Sequence, residues 1–127
     1  MRLIEEIMKE INGVMDRFDE INLDQAMTLI TKETPVFVDG EGRSGFVARC
    51  FAMRLMHIGY KPYVMGETIT PALQKDQIYL AISGSGTTKN TLSNAKAAKK
   101  LGLKIIAVTS KEESELGALA DCVIKVP

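Results

Sequence analysis

Hydrophobic positions in the first thirty residues recur at helical spacing. They form one apolar stripe made of Ile4, Ile7, Met8, Ile11, Val14, Met15, Phe18 and Ile21. Asn22, followed by Gln25 three residues later, predicts the N-cap of a second helix that runs to about Ile30. We expect this helical arm, residues 1–33, either to cover the edge of its own sheet or to pack against a second subunit.

From residue 34 onward, short apolar runs alternate with segments of helical periodicity. The runs predict five strands, at residues 35–38, 61–66, 77–83, 104–110 and 122–126. Helices are predicted between them over residues 44–59, 89–102 and 114–120, and the first two end at a glycine. Strands that alternate with helices indicate a parallel sheet with right-handed crossovers. The predicted fold class is α/β, a three-layer α/β/α sandwich with a five-stranded parallel sheet of the flavodoxin or Rossmann type.

Composition and charge narrow the possible functions. The 127 residues suit a single domain spanning 1–127, and 46% of them are hydrophobic. Sixteen basic residues balance sixteen acidic ones, and the sequence pI is about 6.6. Nucleic acid is therefore not an expected partner, because a binder of that kind carries a basic face.

No stretch of the sequence resembles a membrane span or a secretion signal. Apolar runs fall short of the roughly 18 residues that a spanning helix needs, and charges interrupt the N-terminal stripe. Cys50 and Cys122 lack metal-ligand spacing, and we interpret both as small buried hydrophobic residues in a reducing compartment. We therefore expect a cytoplasmic protein without a metal site or a membrane partner.

Two glycine-rich loops carry the candidate chemistry. The first loop, residues 40–45, reads GEGRSG, and the second loop, residues 83–88, reads SGSGTT. Each follows a predicted strand and leads into a helix, where unpaired N–H groups and the helix dipole favour a phosphate. The hydroxyl groups of the second loop add further donors. Neither loop has the lysine of a nucleoside-triphosphate loop, so a small phosphorylated ligand fits better than a nucleoside triphosphate. The alternative is that these turns only cap helices, but two of them at strand ends favour a binding site.

The first loop also spells G-x-G-x-x-G, the fingerprint of a dinucleotide-binding turn. Glu67, at the end of the second predicted strand, lies roughly where a ribose-binding acid belongs. Against this interpretation, Glu41 would place a negative charge close to the pyrophosphate, and the second loop has no role in the fingerprint. No residues remain for a substrate domain either. We therefore expect no cofactor.

Both loops together resemble the sugar isomerase (SIS) domain family. More narrowly, GRSGFVARCFAMRLMHIGYKPYVMGETITP is similar to the 6-phospho-3-hexuloisomerases of bacteria and archaea. The resemblance implies a cofactor-free isomerase, usually a homotetramer, that interconverts 3-hexulose 6-phosphate and fructose 6-phosphate, a step of formaldehyde fixation. It implies phosphosugar-binding residues at Arg43, Ser44, Ser83, Gly84, Ser85, Gly86, Thr87 and Thr88. His57 is then expected to act as an acid–base or ring-opening group, since a histidine in RLMHIGY is typical of these enzymes.

The sequence departs from this family at its end. Family members continue beyond the position of Pro127 with helices that carry the glutamate regarded as the catalytic base. Catalysis by these residues would need Glu41 or Glu67 as base, so we expect weak turnover or none, with phosphosugar binding retained. The alternatives are a truncated isomerase, a non-catalytic module that binds a sugar phosphate as a sensor or regulator, and an interaction module without a ligand.

Overall fold

The computed structural model describes residues 2–127, which form five strands and five helices. The strands are β1 (Val36–Asp39), β2 (Pro62–Val64), β3 (Ile78–Ile82), β4 (Lys104–Thr109) and β5 (Cys122–Lys125). The helices are α1 (Leu3–Asp16), α2 (Ile21–Leu29), α3 (Arg43–His57), α4 (Lys89–Leu101) and α5 (Glu115–Leu119). The predicted alternation of strands and helices is confirmed.

All five strands run parallel, in the order β2-β1-β3-β4-β5. The chain passes from β1 outward to β2 and then crosses back to β3 on the other side of β1. Strand order therefore reverses between β1 and β3, which pair side by side with Asp39 opposite Ala81. In an open parallel sheet, the crevice beyond such a reversal is the usual ligand site.

Helices cover both faces of the sheet, so the three-layer architecture is also confirmed. Val36, Val38 and Leu80 belong to a buried cluster with residues of α2 and α3. Phe37 and Tyr79, which alternate with them along the strands, belong to a second cluster with residues of α4 and α5. This period-two alternation places α3 and α4 on opposite faces of the sheet.

The helical arm differs from the prediction in two respects. Helix α2 begins at Ile21, and its first N–H donates to a carboxylate oxygen of Asp19 at 3.0 Å. The prediction that Asn22 is the N-cap is therefore wrong, because Asn22 lies inside the first turn. Helix α2 packs against the edge strand β5, whereas α1 has no buried residue. The apolar stripe of α1 thus does not cover the sheet of its own chain.

The two cysteines occupy different environments. Cys122 is buried at 2% exposure, and its thiol donates to the carbonyl oxygen of Asn22 at 3.2 Å. Burial raises the pKa of this thiol above its usual value. Cys50 is exposed, so the prediction that it is buried is wrong. The buried face of α3 carries Ala48, Ala52 and Leu55, and Cys50 lies on the opposite side of the helix.

None of the helices within residues 2–127 combines the length and the hydropathy that crossing a bilayer requires.

Candidate phosphate-binding site

The first loop folds tightly against the start of α3. A Cβ atom added to Gly40 would lie 2.9 Å from the Ser44 carbonyl oxygen, and one added to Gly45 would lie 2.8 Å from the Gly40 oxygen. Gly42 has φ of 57°, in the left-handed region that favours glycine. The N–H groups of residues 41–44 find no acceptor among residues 2–127. Four backbone donors are therefore available to an anion.

The second loop organises its own hydroxyl groups. Ser83 is buried, accepts the Gly86 N–H at 3.1 Å and shares a hydrogen bond with the Thr88 hydroxyl at 2.9 Å. The Ser85 hydroxyl oxygen accepts both the N–H and the hydroxyl proton of Thr87, at 3.2 and 2.9 Å. Because Ser85 only accepts in these two bonds, its own proton is left for a ligand.

The base of the second loop is fixed to the neighbouring strand and helix. The Gly84 carbonyl accepts the Ser110 N–H at 3.2 Å, and the Gly86 carbonyl accepts the Leu116 N–H at 3.1 Å. Within residues 2–127, no acceptor lies within reach of the N–H groups of Gly84, Ser85 and Thr88. Two carbonyl groups thus anchor the second loop to the rest of the domain, while three of its backbone N–H groups remain unpaired.

The topology brings the two loops together. They follow β1 and β3, which are neighbours in the sheet and lie about 4.8 Å apart. The helices that they open start on opposite faces, so the partial positive charges of both N-termini flank the crevice at the strand-order reversal. Arg43 is exposed at the start of α3, and Ser44 is partly exposed beside it. In the second loop, Gly84, Ser85 and Thr87 are exposed, whereas Ser83 and Gly86 are buried.

The structure does not bring His57 to these loops within one chain. His57 is the last residue of α3 and is exposed, whereas Arg43 is the first residue of that helix. A helix of this length separates its ends by about 20 Å. The assignment of His57 as a catalytic group stays a prediction, and it requires a second subunit to supply the side chain.

The two candidate carboxylates differ in their contacts. Glu67 forms an ion pair with Arg49 of α3 at 3.0 Å, and both side chains are about half exposed, so the pair holds Glu67 only weakly. Glu41 is exposed and has no ion-pair partner among residues 2–127. It lines a cavity of about 210 Å³ between the first loop and the end of β2, together with Asp39 and Arg49.

The sequence interpretation missed a buried polar cluster next to the first loop. Asp39 is only 8% exposed, and its carboxylate accepts hydrogen bonds from the Gly40 N–H, the Asn94 amide and the Tyr79 hydroxyl. The one available signal was Tyr79 itself. A tyrosine in the centre of a buried strand needs a partner for its hydroxyl, and the nearest polar residue on the neighbouring strand is Asp39.

A single family accounts for the fold and the paired loops. The SIS domain matches residues 29–127, and the chain belongs to this family. A protein of Archaeoglobus fulgidus, to which no function is attached, is 41% identical over 126 residues, which cover 99% of this chain and 69% of that protein.

Other relatives carry the name of a particular enzyme. The 3-hexulose-6-phosphate isomerase of Bacillus subtilis is 36% identical over 124 residues, covering 98% of this chain and 67% of the enzyme. A crystal structure from Methanococcus jannaschii, from which a 3-hexulose-6-phosphate isomerase function was inferred, has a TM-score of 0.78 and 44% identity. It covers 84% of this chain and 60% of that protein. The chain thus spans about two thirds of the length of these relatives.

Proposed function

We propose that this chain binds the phosphate group of a hexulose 6-phosphate in the crevice between its two glycine-rich loops. The observation that carries the proposal is the placement of unpaired backbone amides from both loops at the strand-order reversal between β1 and β3. Backbone amides at helix N-termini bind phosphate without a lysine or a metal ion. The free hydroxyl of Ser85 and the guanidinium of Arg43 add donors at the rim.

We further propose that the reaction is the interconversion of D-arabino-hex-3-ulose 6-phosphate and D-fructose 6-phosphate. Moving a carbonyl between adjacent carbons requires a base to remove a proton from carbon and a cation to stabilise the enediolate. Arg43 fits the second role. Glu41 fits the first role better than Glu67 does, because Glu41 belongs to the first loop and lines the cavity beside it. His57 would enter from a neighbouring subunit.

A non-catalytic sugar-phosphate-binding module is the second candidate. The distance of about 20 Å along α3 between Arg43 and His57 favours it, since one chain then cannot bring both side chains to the same small sugar. We expect the 127 residues on their own to bind the sugar phosphate and to isomerise it slowly or not at all. Transfer of solvent deuterium into fructose 6-phosphate distinguishes the two candidates, because only catalysis exchanges the carbon-bound proton.

Calorimetric titration tests the binding proposal. We expect fructose 6-phosphate to bind and fructose without phosphate not to bind. Ser85→Ala should weaken binding about tenfold, since a hydrogen bond to a charged group contributes roughly 1.5–3 kcal/mol. Ser93→Ala, at an exposed position of α4, is the matched control and should leave the affinity unchanged. Failure of sugar phosphates to bind the wild-type chain would refute the proposal and favour an interaction module without a ligand.

We also propose that the chain self-associates, with a homotetramer as the assembly that the family resemblance implies. Helix α1 supports this proposal, because Leu3, Ile4, Met8 and Met15 are each at least half exposed on it. An apolar groove of about 370 Å³ between α2 and α3 is likewise uncovered. Exposed apolar surface of this extent is typical of subunit interfaces. A cytoplasmic location is part of the same proposal, since both cysteines are free thiols.

A further inference from the structure

The carboxylate of Asp39 is the most densely bonded side chain near the proposed site. One of its oxygens accepts the Gly40 N–H at 2.9 Å. The other oxygen accepts the Asn94 side-chain amide at 2.9 Å and the Tyr79 hydroxyl. Every donor to this carboxylate is neutral, and no cation pairs with it among residues 2–127.

The three donors belong to segments that lead to different loops. Gly40 is the first residue of the first loop. Tyr79 lies on β3, the strand that delivers the second loop, and Asn94 lies on α4, the helix that the second loop opens. One buried side chain therefore connects the first loop with the strand and the helix on either side of the second loop.

Burial makes the bond between the Tyr79 hydroxyl and Asp39 costly to lose. Tyr79 has no exposed surface, and burial, reinforced by the adjacent Asp39 carboxylate, raises the pKa of its phenol far above the usual value. A buried donor that loses its acceptor cannot turn to water, so the Tyr79 hydroxyl depends on acceptors within the protein. Besides Asp39, the Thr91 carbonyl lies within reach of this hydroxyl, at 3.2 Å. Asn94 is partly exposed, so its amide also has access to water.

We propose that Asp39 is a positioning residue that holds the first and second loops in a fixed relation, so that a ligand bound by both loops depends on it. The ligand part of this statement rests on the proposed function, whereas the connection between the loops does not. Three of the roughly four acceptor positions of the Asp39 carboxylate are occupied within the protein, so its proposed role is to hold the loops and not to bind the ligand itself.

The hydrogen-bond directions suggest a reciprocal exchange as the test. In Asp39→Asn, the new side-chain amide faces either the Gly40 N–H or the Asn94 amide, so one donor meets another donor. In Asn94→Asp, two carboxylates lie in contact and repel each other. Each single variant therefore breaks the connection between the loops. The double variant D39N/N94D reverses the bond, because the new amide at position 39 accepts the Gly40 N–H and donates to the new carboxylate at position 94. The Tyr79 hydroxyl then turns to the Thr91 carbonyl.

Amide hydrogen exchange of the ligand-free protein measures the connection directly. The N–H groups of Gly45 and Gly86 are hydrogen-bonded within the first and second loops, respectively, and report on them separately. We expect Asp39→Asn to accelerate exchange at both amides by roughly tenfold, and the double variant to restore both. Leu103→Ala, which opens the core at the amino edge of the sheet, is the control for general destabilisation and should affect both amides less.

Affinity supplies the second measurement. We expect each single variant to bind fructose 6-phosphate about tenfold more weakly, and the double variant to recover to within about threefold of wild type. Should the Asn94→Asp variants not fold, Asn94→Ala removes only the amide donor and should accelerate exchange at Gly86.

The outcomes separate this inference from the proposed function. Faster exchange at Gly45 alone, or a double variant that restores neither amide, overturns the role of Asp39. Unchanged exchange in Asn94→Ala overturns it as well. A wild-type chain that binds no sugar phosphate, with coupled exchange at both amides, overturns the proposed function and leaves the connection between the loops supported.

Discussion

Gly86 in the second loop is a position at which one added methyl group should have a large effect. Its φ of 69° lies in the left-handed region. A Cβ atom added there would fall 2.0 Å from the hydroxyl oxygen of Ser114 and 2.4 Å from the Ser114 Cβ. Ser114 is the N-cap of α5, and its hydroxyl oxygen accepts the Gly117 N–H at 3.2 Å. The neighbour in the way is thus a short, fixed side chain.

Three costs follow from Gly86→Ala. A non-glycine residue in the left-handed conformation costs about 1–2 kcal/mol, and overpacking costs about 1–3 kcal/mol. If Ser114 moves aside, loss of its cap costs about 1 kcal/mol. Because one relaxation relieves part of all three, they do not add. We expect the free energy of unfolding to fall by about 3 kcal/mol, a large part of the roughly 5–15 kcal/mol of a typical domain.

Urea unfolding followed by circular dichroism measures this difference. Gly84→Ala is the matched control, because it makes the same substitution two residues earlier in the same loop. An added Cβ on Gly84 meets nothing within 4 Å, and its φ is not positive. We expect the control to change the unfolding free energy by less than about 0.5 kcal/mol. Equal losses in the two variants would refute the steric argument and the packing of the second loop against α5.

Two further predictions concern Tyr79 and α1. The pKa of Tyr79 is raised in the folded state, so above a pH of about 10 the unfolded chain loses this proton while the folded chain keeps it. The free energy of unfolding should therefore decline above that pH by up to about 1.4 kcal/mol per pH unit. Urea unfolding at about pH 9, 10 and 11, on either side of the ordinary tyrosine pKa, should show a smaller decline for Tyr79→Phe, and equal declines would contradict the assignment. On α1, Ile7→Glu combined with Ile11→Lys keeps a favourable helical pair but interrupts the stripe. Sedimentation should then detect smaller assemblies than for wild type or Lys9→Ala.

Much of the fold was predictable because its signals are local. Each strand is an apolar run bounded by turn residues, and α4 stops at Gly102, whose φ of 92° makes it a left-handed cap. The glycines of the first loop were recognised from spacing alone. The sequence argument against a dinucleotide at the same glycines, which uses the charge of Glu41 and the second loop, stays a prediction.

Features that depend on distant partners were not predictable. The stripe of α1 indicates that one face avoids water, but its period carries no information about what covers that face. Asp39 ends an apolar run, a position where an acidic residue is usually exposed at a strand end. Its burial depends on Tyr79 and Asn94, which lie 40 and 55 positions away along the chain. The N-cap at Asn22 failed because Asp19 accepts the first N–H of α2 instead.

The unpaired amides of Gly84, Ser85 and Thr88 have a consequence for the evolution of this surface. Main-chain donors persist whichever side chains stand at these positions, provided that Gly86 keeps its conformation. Exposed residues such as Thr87 can then vary from one descendant to another, while the main-chain donors of the proposed phosphate site are inherited unchanged. A site made of backbone donors can therefore change its side chains without losing the proposed phosphate contacts.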